Sequence, residues 1–348
     1  MRIDLFDFEL PSELIAQHPV EPREAARLLV VGDRLEDRFV GDLPELLDPG
    51  DLVVLNDTRV LPTRFWGRRG TAAIEATLVE PKDERRWWAL ARPGRRLRPG
   101  DRVELGRDLG ATVEAKDAEG RVLLCFDRAG EELLAAIRAQ GAMPLPPYIK
   151  RPRGGDPRDL RDYQPVLARK EGSVAAPTAS LHLTPALLDR LERRGIERAF
   201  VTLHVGLGTF APVKVRDTRE HRMHEERGDI PSATSEAIAR TRARGGRVVA
   251  VGTTVLRTLE SRAKDDGGVE SGPFATALFV TPGFRFRVVD RLLTNFHLPR
   301  STLFMLVCAF AGYHRMRRAY AHAVAQKYRF FSYGDACLLD RHEEPPPE

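Results

Sequence analysis

Between residues 60 and 130, hydrophobic and polar positions alternate along short runs that are rich in β-forming residues. Turns that contain glycine or proline separate these runs at close intervals, a pattern typical of a small antiparallel barrel or sandwich. A helical run and a proline-rich passage follow the last of them. We therefore predict an inserted antiparallel β-barrel domain over residues 59–151. The runs that carry the pattern are AAIEATLVE, RWWALAR, DRVELG, ATVEAKD and RVLLCF.

From residue 175 onward, apolar strands alternate with amphipathic helices. The first helix is expected to open at Thr184, with Pro185 in its first helical position, and to close at Gly195. An earlier buried strand, DLVVL, follows a Pro-Gly turn in the first segment. Alternation of this kind predicts a sheet with helices packed on its faces. The predicted strands after residue 175 are RAFVTLHVG, RVVAVG, TALFVTPG and a final strand within FFSYGDACLL.

These patterns together predict an α/β fold with an insertion. An α/β sheet domain with helices on both faces is interrupted by the inserted antiparallel β-barrel domain. The α/β domain is expected to comprise residues 1–58 and 152–340, so the joins lie near residues 59 and 151. Residues 341–348 lack apolar side chains and are predicted to form a disordered tail.

The composition gives the chain a small net positive charge. The formal net charge of the 348 residues is +5, and arginines cluster in segments that can bind a phosphate backbone, although charged runs are often solvated faces. The cysteines lie far apart without metal-ligand spacing, which indicates packing thiols in a reducing cytosol. No secretory signal pattern is visible, and no apolar run reaches the roughly 20 residues that span a bilayer. We expect a cytoplasmic monomer with no membrane association.

The clearest candidate for a ligand-binding motif is VVAVGTTVLRTLE, where a strand is predicted to end at a glycine and a helix to begin at Thr253 and Thr254. Free backbone N–H groups and hydroxyls at a helix start can bind an anion. Arg257 is spaced to project from the same helix face. The alternative is an ordinary threonine N-cap beside a surface arginine.

Two further strand ends carry polar residues. Asp57 and Arg59 follow the buried DLVVL strand, at the edge where open α/β sheets bind ligands. His204 ends another strand and precedes Gly206 and Gly208, which let the backbone approach a ligand closely. The third glycine of G-x-G-x-x-G is missing, so no dinucleotide site is predicted. Ordinary turns remain the alternative for both segments.

Three later segments add candidates. Ser180 lies in AAPTASLHLT, which is rich in small residues, and Asp335 lies beside a glycine turn in FFSYGDACLL. Asn295 and His297 precede the apolar helix TLFMLVCAF. The scattered histidines raise the option of a metal hydrolase, but no H-E-x-x-H or paired-cysteine motif is present, so no metal is expected.

In this order, the motifs resemble the S-adenosylmethionine:tRNA ribosyltransferase-isomerase family of queuosine biosynthesis. The resemblance runs from the first residues to about residue 340. It implies S-adenosylmethionine as co-substrate and an α/β domain with an inserted β-barrel. The motifs are NDTRVLPTR, PLPPYIKR, DYQPVLARKEGSVAAPTASLHLT, FVTLHVGLGTFAPVK, HRMHEE, VVAVGTTVLRTLES, LLTNFHLPRSTLFMLVCAF and YRFFSYGDACLL.

The resemblance also implies a reaction. The ribosyl moiety of S-adenosylmethionine would be transferred and isomerised onto the aminomethyl group of 7-aminomethyl-7-deazaguanine in a tRNA anticodon. The product would be epoxyqueuosine-tRNA, with adenine and methionine released. The sulfonium acidifies the adjacent C5′ protons, so the site needs a positioned base. His297 or His204 is predicted to transfer that proton.

The remaining candidates receive binding roles under this resemblance. Thr253, Thr254 and Arg257 would hold the methionine carboxylate, and His204 with its following glycines would line the sugar pocket. The other residues predicted to face the ligand are Asp57, Arg59, Ser180, Asn295 and Asp335.

The chain departs from the family pattern at several positions. Val255 stands where Ser or Thr is usual, Leu207 where Ala is usual, and Leu167 where Tyr is usual. These departures keep open a divergent paralogue that acts on another amine-bearing nucleoside. A tRNA-binding protein without catalysis is the remaining alternative, since the arginine clusters and the β-domain alone suffice for it.

Overall fold

A computed structural model describes residues 1–206, 213, 215–223 and 225–347 of the chain. The chain forms two compact units. The sheet unit comprises Met1–Thr58, Pro165–Lys170 and Ala176–Glu348, and the barrel unit comprises Arg59–Gln164 and Glu171–Ala175.

The strands are short, and most are strongly buried or alternate between buried and exposed positions. They are β1 Arg27–Val31, β2 Leu35–Phe39, β3 Leu52–Asn56, β4 Thr58–Val60, β5 Arg64–Arg69, β6 Ala72–Pro81, β7 Arg86–Arg92, β8 Arg102–Leu105, β9 Leu109–Lys116, β10 Val122–Phe126, β11 Lys170–Ser173, β12 Glu197–Leu203, β13 Glu226–Ile230, β14 Val248–Val251, β15 Gly272–Thr276, β16 Arg291–Asn295 and β17 Ala336–Asp340.

The α-helices connect these strands. They are α1 Leu43–Leu46, α2 Gly130–Gln140, α3 Asp159–Asp162, α4 Pro185–Arg193, α5 Ser232–Ala243, α6 Thr253–Ser261, α7 Thr302–Ala311 and α8 Tyr313–Ala325. Helix α4 begins as the sequence predicts, because the Thr184 hydroxyl accepts a hydrogen bond from the Leu187 N–H and Pro185 occupies the first turn.

The sheet unit is built on a nine-stranded mixed sheet in the order β15-β13-β12-β3-β14-β16-β17-β1-β2. Strands β12, β3, β14 and β16 are parallel neighbours, whereas β17 runs antiparallel to β16. The carboxyl ends of the four parallel strands therefore lie at one edge of the sheet, and the segment that enters β17 reaches the same edge.

Both faces of the central strands are covered. Val53, Val249 and Leu293 pack in one core cluster with the leucines of α4. The alternate residues, such as Val54 and Leu292, are fully buried on the other face, where the sheet contacts α5 and α6. This explains the near-continuous apolar character of DLVVL and RVVAV, because a strand buried on both sides cannot alternate with polar residues.

The barrel unit contains a closed antiparallel barrel in the order β10-β7-β6-β5-β8-β9. Its core includes Phe65, Leu78 and Val113 from the strands and Leu133 and Ile137 from α2. The fold class predicted from the sequence is thus confirmed: a large sheet covered by helices, and a six-stranded barrel inserted in the chain. Strands β4 and β11 form a separate two-stranded sheet.

Three details differ from the sequence prediction. The barrel unit extends past residue 151 to Gln164, because Tyr163 is fully buried within it and Gln164 hydrogen-bonds the backbone of Val60. The predicted disordered tail makes contacts, since the His342 N–H donates to the Phe310 carbonyl. The strand expected at 276–283 ends at Thr276.

Candidate active site at the carboxyl edge of the sheet

The edge formed by the ends of β12, β3, β14 and β16 gathers most of the predicted polar residues. Asn56 ends β3, His204 follows β12, Thr253 follows β14 by one glycine, and Asn295 ends β16. Parallel register brings the strand ends together, because neighbouring strands lie about 4.8 Å apart. The sequence places these residues on strand ends, and the sheet topology makes the ends neighbours.

The end of β3 is rigidly tied to the end of β12. The Asn56 side-chain amide donates to the Leu203 carbonyl at 3.0 Å and its oxygen accepts from the Leu203 N–H at 3.2 Å. The buried Asp57 carboxylate accepts a hydrogen bond of 2.7 Å from the Thr202 hydroxyl. These contacts fix the two strand ends side by side, so that residues following β3 and β12 can meet.

His204 is the half-buried histidine of this edge. Its Nδ1 lies 3.3 Å from the Thr58 hydroxyl oxygen, and that hydroxyl also lies 3.4 Å from the Lys170 carbonyl. A hydroxyl has one proton, and the carbonyl can only accept it. We assign the Thr58 proton to that carbonyl, so that the Thr58 oxygen accepts from His204 Nδ1–H and Nε2 of the neutral ring carries the lone pair.

The charge state of His204 follows from its surroundings. Burial lowers its pKa below the ordinary value, the Asp57 carboxylate acts in the opposite direction, and the Lys170 ammonium adds to the lowering. A neutral imidazole with a lone pair on Nε2 is a competent proton acceptor at neutral pH.

Helix α6 begins beside these residues. Gly252 has a φ of 94°, a conformation that favours glycine, and it turns the chain from β14 directly into the helix. Thr253 and Thr254 are buried, and the Thr254 hydroxyl has no hydrogen-bond partner among the described residues. The helix start thus presents backbone N–H groups together with an unsatisfied buried hydroxyl, which is the arrangement that binds an anion.

Arg257 has two protein partners, while its buried Nη2 has no hydrogen-bond partner among the described residues. Its Nη1 donates to Glu226 at 2.6 Å and its Nε donates to the Leu278 carbonyl at 3.0 Å. The guanidinium and the carboxylate are both almost fully buried, with 2% and 5% of their side chains exposed. All of α6 from Thr253 to Glu260 is buried, so the arginine needs a buried acid to balance its charge. Arg257 therefore forms a buried ion pair with Glu226, and its role in holding an anion stays a prediction.

Asn295 is engaged through all of its polar atoms. Its amide nitrogen lies 3.0 Å from His182 Nε2 and donates to the Phe331 carbonyl at 3.2 Å. Its oxygen accepts from the Thr178 hydroxyl at 3.3 Å. That Asn295 faces the ligand stays a prediction; in the structure its side chain holds His182.

His297 lies deeper than His204. Its Nε2 is 3.0 Å from the Thr294 hydroxyl, and its backbone N–H donates to the Tyr320 hydroxyl. Burial lowers the pKa of His297 to about 3, and burial together with Arg329 and Arg23 lowers the pKa of His182 to about 3. Both rings are therefore neutral at pH 7.

The two buried histidines predict a loss of stability in mild acid. The unfolded chain binds a proton at each ring below pH 6.5, whereas the folded rings stay neutral down to about pH 3. The unfolding free energy should fall as pH drops through this window, by up to about 1.4 kcal/mol per pH unit for each ring. Urea unfolding between pH 6.5 and 5 measures the slope.

The control for this prediction is His297→Gln, which removes one titrating ring and keeps a polar side chain near Thr294. For this variant, the slope of the unfolding free energy against pH should be smaller than that of the wild type by about 1.4 kcal/mol per pH unit. Equal slopes would show that His297 is protonated in the folded protein.

The other predicted residues take varied positions. The Ser180 hydroxyl is buried with no partner among the described residues. The buried Asp335 carboxylate accepts from the backbone N–H groups of Arg27 and Arg329. Arg59 belongs to the barrel unit, where its exposed side chain lies 4.0 Å from Glu171. Gly206 follows β12, and Gly208 lies outside the described residues.

Sequence reasoning missed two residues that set this geometry. Thr58 contacts His204, and Thr202 donates to Asp57. Each is a threonine within a motif, but its partner lies over a hundred residues away in sequence. No local spacing signals such pairs.

Within the described ranges, no group of three or more His, Cys, Asp or Glu side chains is placed to hold a metal ion. No helix in the part of the chain that the structure describes is long and apolar enough to cross a membrane.

Comparison with protein families supplies a match over nearly the whole chain. The family described as Queuosine biosynthesis protein matches residues 3–339. A relative from Rhodospirillum rubrum, named S-adenosylmethionine:tRNA ribosyltransferase-isomerase, is 57% identical over 99% of this chain and 100% of its own length. A relative of the same name from Mesorhizobium japonicum is 55% identical over 99% of each chain.

A solved structure is also similar. The crystal structure of an S-adenosylmethionine tRNA ribosyltransferase from Thermotoga maritima superposes with a TM-score of 0.55. It is 39% identical and covers 96% of this chain and 99% of the other.

Proposed function

Because the chain belongs to the queuosine biosynthesis protein family, we propose that it is an S-adenosylmethionine-dependent tRNA ribosyltransferase-isomerase. In this proposal, the ribosyl moiety of S-adenosylmethionine moves to the aminomethyl group of 7-aminomethyl-7-deazaguanine in a tRNA anticodon. The products are epoxyqueuosine-tRNA, adenine and methionine. The near full-length similarity to relatives with this name supports the reaction class.

The observation that carries the proposal is the His204–Thr58–Lys170 arrangement. The reaction must begin with removal of a proton from the carbon beside the sulfonium, and this needs a neutral base with a lone pair aimed outward. Nε2 of His204 makes no hydrogen bond to the described residues, while Nδ1 is held by Thr58. His204 is therefore the proposed base, in preference to His297, whose Nε2 is engaged with Thr294.

The spacing of the sheet suggests how S-adenosylmethionine lies. The ends of β12 and β14 flank β3, so they are about 10 Å apart. C5′ and the methionine carboxylate carbon are separated by five bonds, about 7 Å when extended. The His204 side chain bridges the remaining distance. One molecule of S-adenosylmethionine can therefore contact both His204 and the start of α6. In this pose, Thr253 and Thr254 receive the carboxylate through their backbone N–H groups and the unpartnered Thr254 hydroxyl.

Asp57 then has an electrostatic role. Its carboxylate favours the protonated form of His204. Once the ring has accepted the proton, the nearby negative charge stabilises the imidazolium, as a buried carboxylate does for a catalytic histidine elsewhere. The Thr202 hydroxyl holds that carboxylate in place.

The proposed function is tested by incubating the protein with S-adenosylmethionine and tRNA that carries the aminomethyl-deazaguanine. Free adenine and a nucleoside with the mass of epoxyqueuosine are expected in equal amounts. The control is the same tRNA without the aminomethyl base, which should give neither. Binding of tRNA without either product would favour the non-catalytic alternative, and product on a different nucleoside would favour a divergent paralogue.

Replacing Thr58 with valine tests the positioning of the base. Valine keeps the volume and removes the acceptor for His204 Nδ1–H, so kcat should fall by about tenfold, the worth of one hydrogen bond. The KM values for both substrates should stay unchanged. The acceptor favours the charged ring, so its loss should lower the pKa of His204 further and move the acid limb of the kcat profile to lower pH.

Thr58→Ser is the matched control for this experiment. Serine restores the hydroxyl and should recover most of the rate and the original pH profile. If Thr58→Val leaves the acid limb of the kcat profile at the wild-type pH, Thr58 does not act on the base, whatever the effect of the substitution on kcat.

A further inference from the structure

Exposed arginines gather in one loop of the barrel unit. Residues 92–98, which we call the arginine loop, cover the last residue of β7 and the turn toward β8. The loop contains Arg92, Arg95, Arg96 and Arg98, and all four are exposed. Among the described residues, no acidic side chain lies within ion-pair distance of these four guanidinium groups. The proposed transfer of the ribosyl group gives none of them a role.

The backbone of the arginine loop is fixed by its own contacts. Leu97 is 1% exposed and packs in the core of the barrel. The Arg96 N–H donates to the Pro93 carbonyl at 3.1 Å, and the Leu97 N–H donates to the Gly94 carbonyl at 3.2 Å. Because the buried leucine and these two bonds hold the backbone, the arginines on both sides of Leu97 stay at the surface.

Two further cations fasten the same loop. The Lys116 ammonium donates to the Gly94 carbonyl at 2.6 Å, and Nη1 of Arg69 donates to the Arg96 carbonyl at 2.8 Å. A carbonyl accepts these protons without cancelling the charge of the donor. The contacts that order the loop therefore add positive charge to it.

Three acids lie beside the loop, and each is bound to an arginine outside it. They are Glu75, the register partner of Arg92; Asp101, which accepts the Arg98 backbone N–H; and Asp117, next to Lys116. Their partners are Arg64, Arg69 and Arg121, at 2.8, 3.0 and 2.5 Å. Positive charge is thus in excess at the arginine loop, and binding of an anion would relieve the mutual repulsion of its cations.

The chemistry of this cluster favours a chain of phosphates. A guanidinium can bind a phosphate through two parallel hydrogen bonds, and several arginines in one loop can contact several phosphates of a nucleic-acid strand. The tRNA of the proposed reaction is such a chain. We propose that the arginine loop binds the phosphate backbone of the substrate tRNA; this rests on the proposed function.

Replacing two arginines of the loop together, Arg95→Gln with Arg96→Gln, tests the assignment. Filter binding of tRNA in low salt should show an affinity reduced at least ~tenfold. The slope of log K against log salt concentration should become shallower by roughly 1.4 to 2, because two phosphate contacts no longer release counterions. The KM for tRNA should rise, whereas kcat and the KM for S-adenosylmethionine should not change. Arg92→Gln with Arg98→Gln should give the same pattern independently.

A matched control removes the same net charge from two paired arginines of the barrel unit. Arg86→Gln with Arg128→Gln takes away the partners of Asp83 and Asp108, which lie at 2.5 and 2.6 Å. Arg86 begins β7, about 20 Å along the strand from Arg92 and beyond the range of unscreened charge. The slope should therefore stay at the wild-type value. An equally shallow slope in this control would assign the effect to net charge and overturn the site.

A second control retains the charge of the loop. Arg95→Lys with Arg96→Lys should keep the wild-type slope and lose little affinity, since only the paired hydrogen bonds of each guanidinium are removed. Thermal unfolding of every variant should match the wild type, because the substituted loop side chains are exposed.

The outcomes separate the arginine loop from the reaction. If the wild type forms adenine and epoxyqueuosine-tRNA but both pairs of Gln substitutions keep its slope, the phosphate-binding surface is wrong and the proposed function stands. If those variants lose binding to anionic phospholipid vesicles and keep the wild-type binding of tRNA, the loop binds lipid headgroups instead. A wild type that binds tRNA with a loop-dependent slope but releases no adenine would contradict the proposed function alone.

Discussion

Replacing His204 with alanine is expected to lower kcat for adenine release by at least ~100-fold, the usual cost of losing a general base. The ring presents a neutral Nε2 at the carboxyl edge, and Thr58 holds its other nitrogen. The first proton transfer needs that lone pair, whereas binding of tRNA does not. The tRNA affinity should therefore stay close to that of the wild type, and the loss should appear in kcat at saturating substrates.

The comparison variant for this experiment is His297→Gln. His297 is more deeply buried and has its pKa lowered to about 3, so it is a weak base. Its replacement should cost less than about tenfold in kcat. If His297→Gln causes the large loss of kcat and His204→Ala the small one, His297 is the base. The pose of S-adenosylmethionine must then be shifted along the edge toward β16.

Replacing Glu226 with glutamine is expected to lower the unfolding free energy by about 3–5 kcal/mol. The substitution keeps the size of the side chain and removes the charge that faces Arg257 at 2.6 Å. Because 2% of the arginine side chain is exposed, water cannot compensate for the lost partner. Urea unfolding followed by circular dichroism would measure the change.

An exposed ion pair of the same unit provides the control. Glu192 and Arg198 lie 3.1 Å apart with 67% and 38% of their side chains exposed. Glu192→Gln should change stability by less than about 1 kcal/mol. Adding Arg257→Met to Glu226→Gln should restore part of the loss, because the buried unpaired charge is then removed. A single Glu226 variant as stable as the Glu192 variant would contradict the argument.

The elements that the sequence predicts well are those with a simple physical pattern. DLVVL and RVVAV are apolar on both faces, and the threonine-proline start of α4 is a local signal that needs no tertiary context. The N-terminal pair β1 and β2 was missed, because β2 is a half-exposed edge strand with three charged residues in five. The strand expected at 276–283 ends early, where the Leu278 carbonyl instead receives the Arg257 guanidinium.

The sequence predicts that the candidate site lies at the strand ends, but it does not predict what each residue there contacts. Polar residues after apolar strands mark the edge, since carboxyl ends of parallel strands converge. What those residues do depends on partners distant in sequence. The ion pair of Arg257 with Glu226, 31 residues earlier, has no local signal in the sequence. His204 acquires its tautomer from Thr58, 146 residues away.

The position of the final strand has a consequence for how the protein is made. β17 lies between β16 and β1, and Leu28 and Ala336 are register partners. A ribosome that has translated three quarters of the chain has therefore produced a β1–β2 hairpin that still lacks its neighbour. That hairpin must wait, with one edge unpaired, until residues 336–340 have emerged from the exit tunnel, so the nine-stranded sheet closes its gap only late in synthesis.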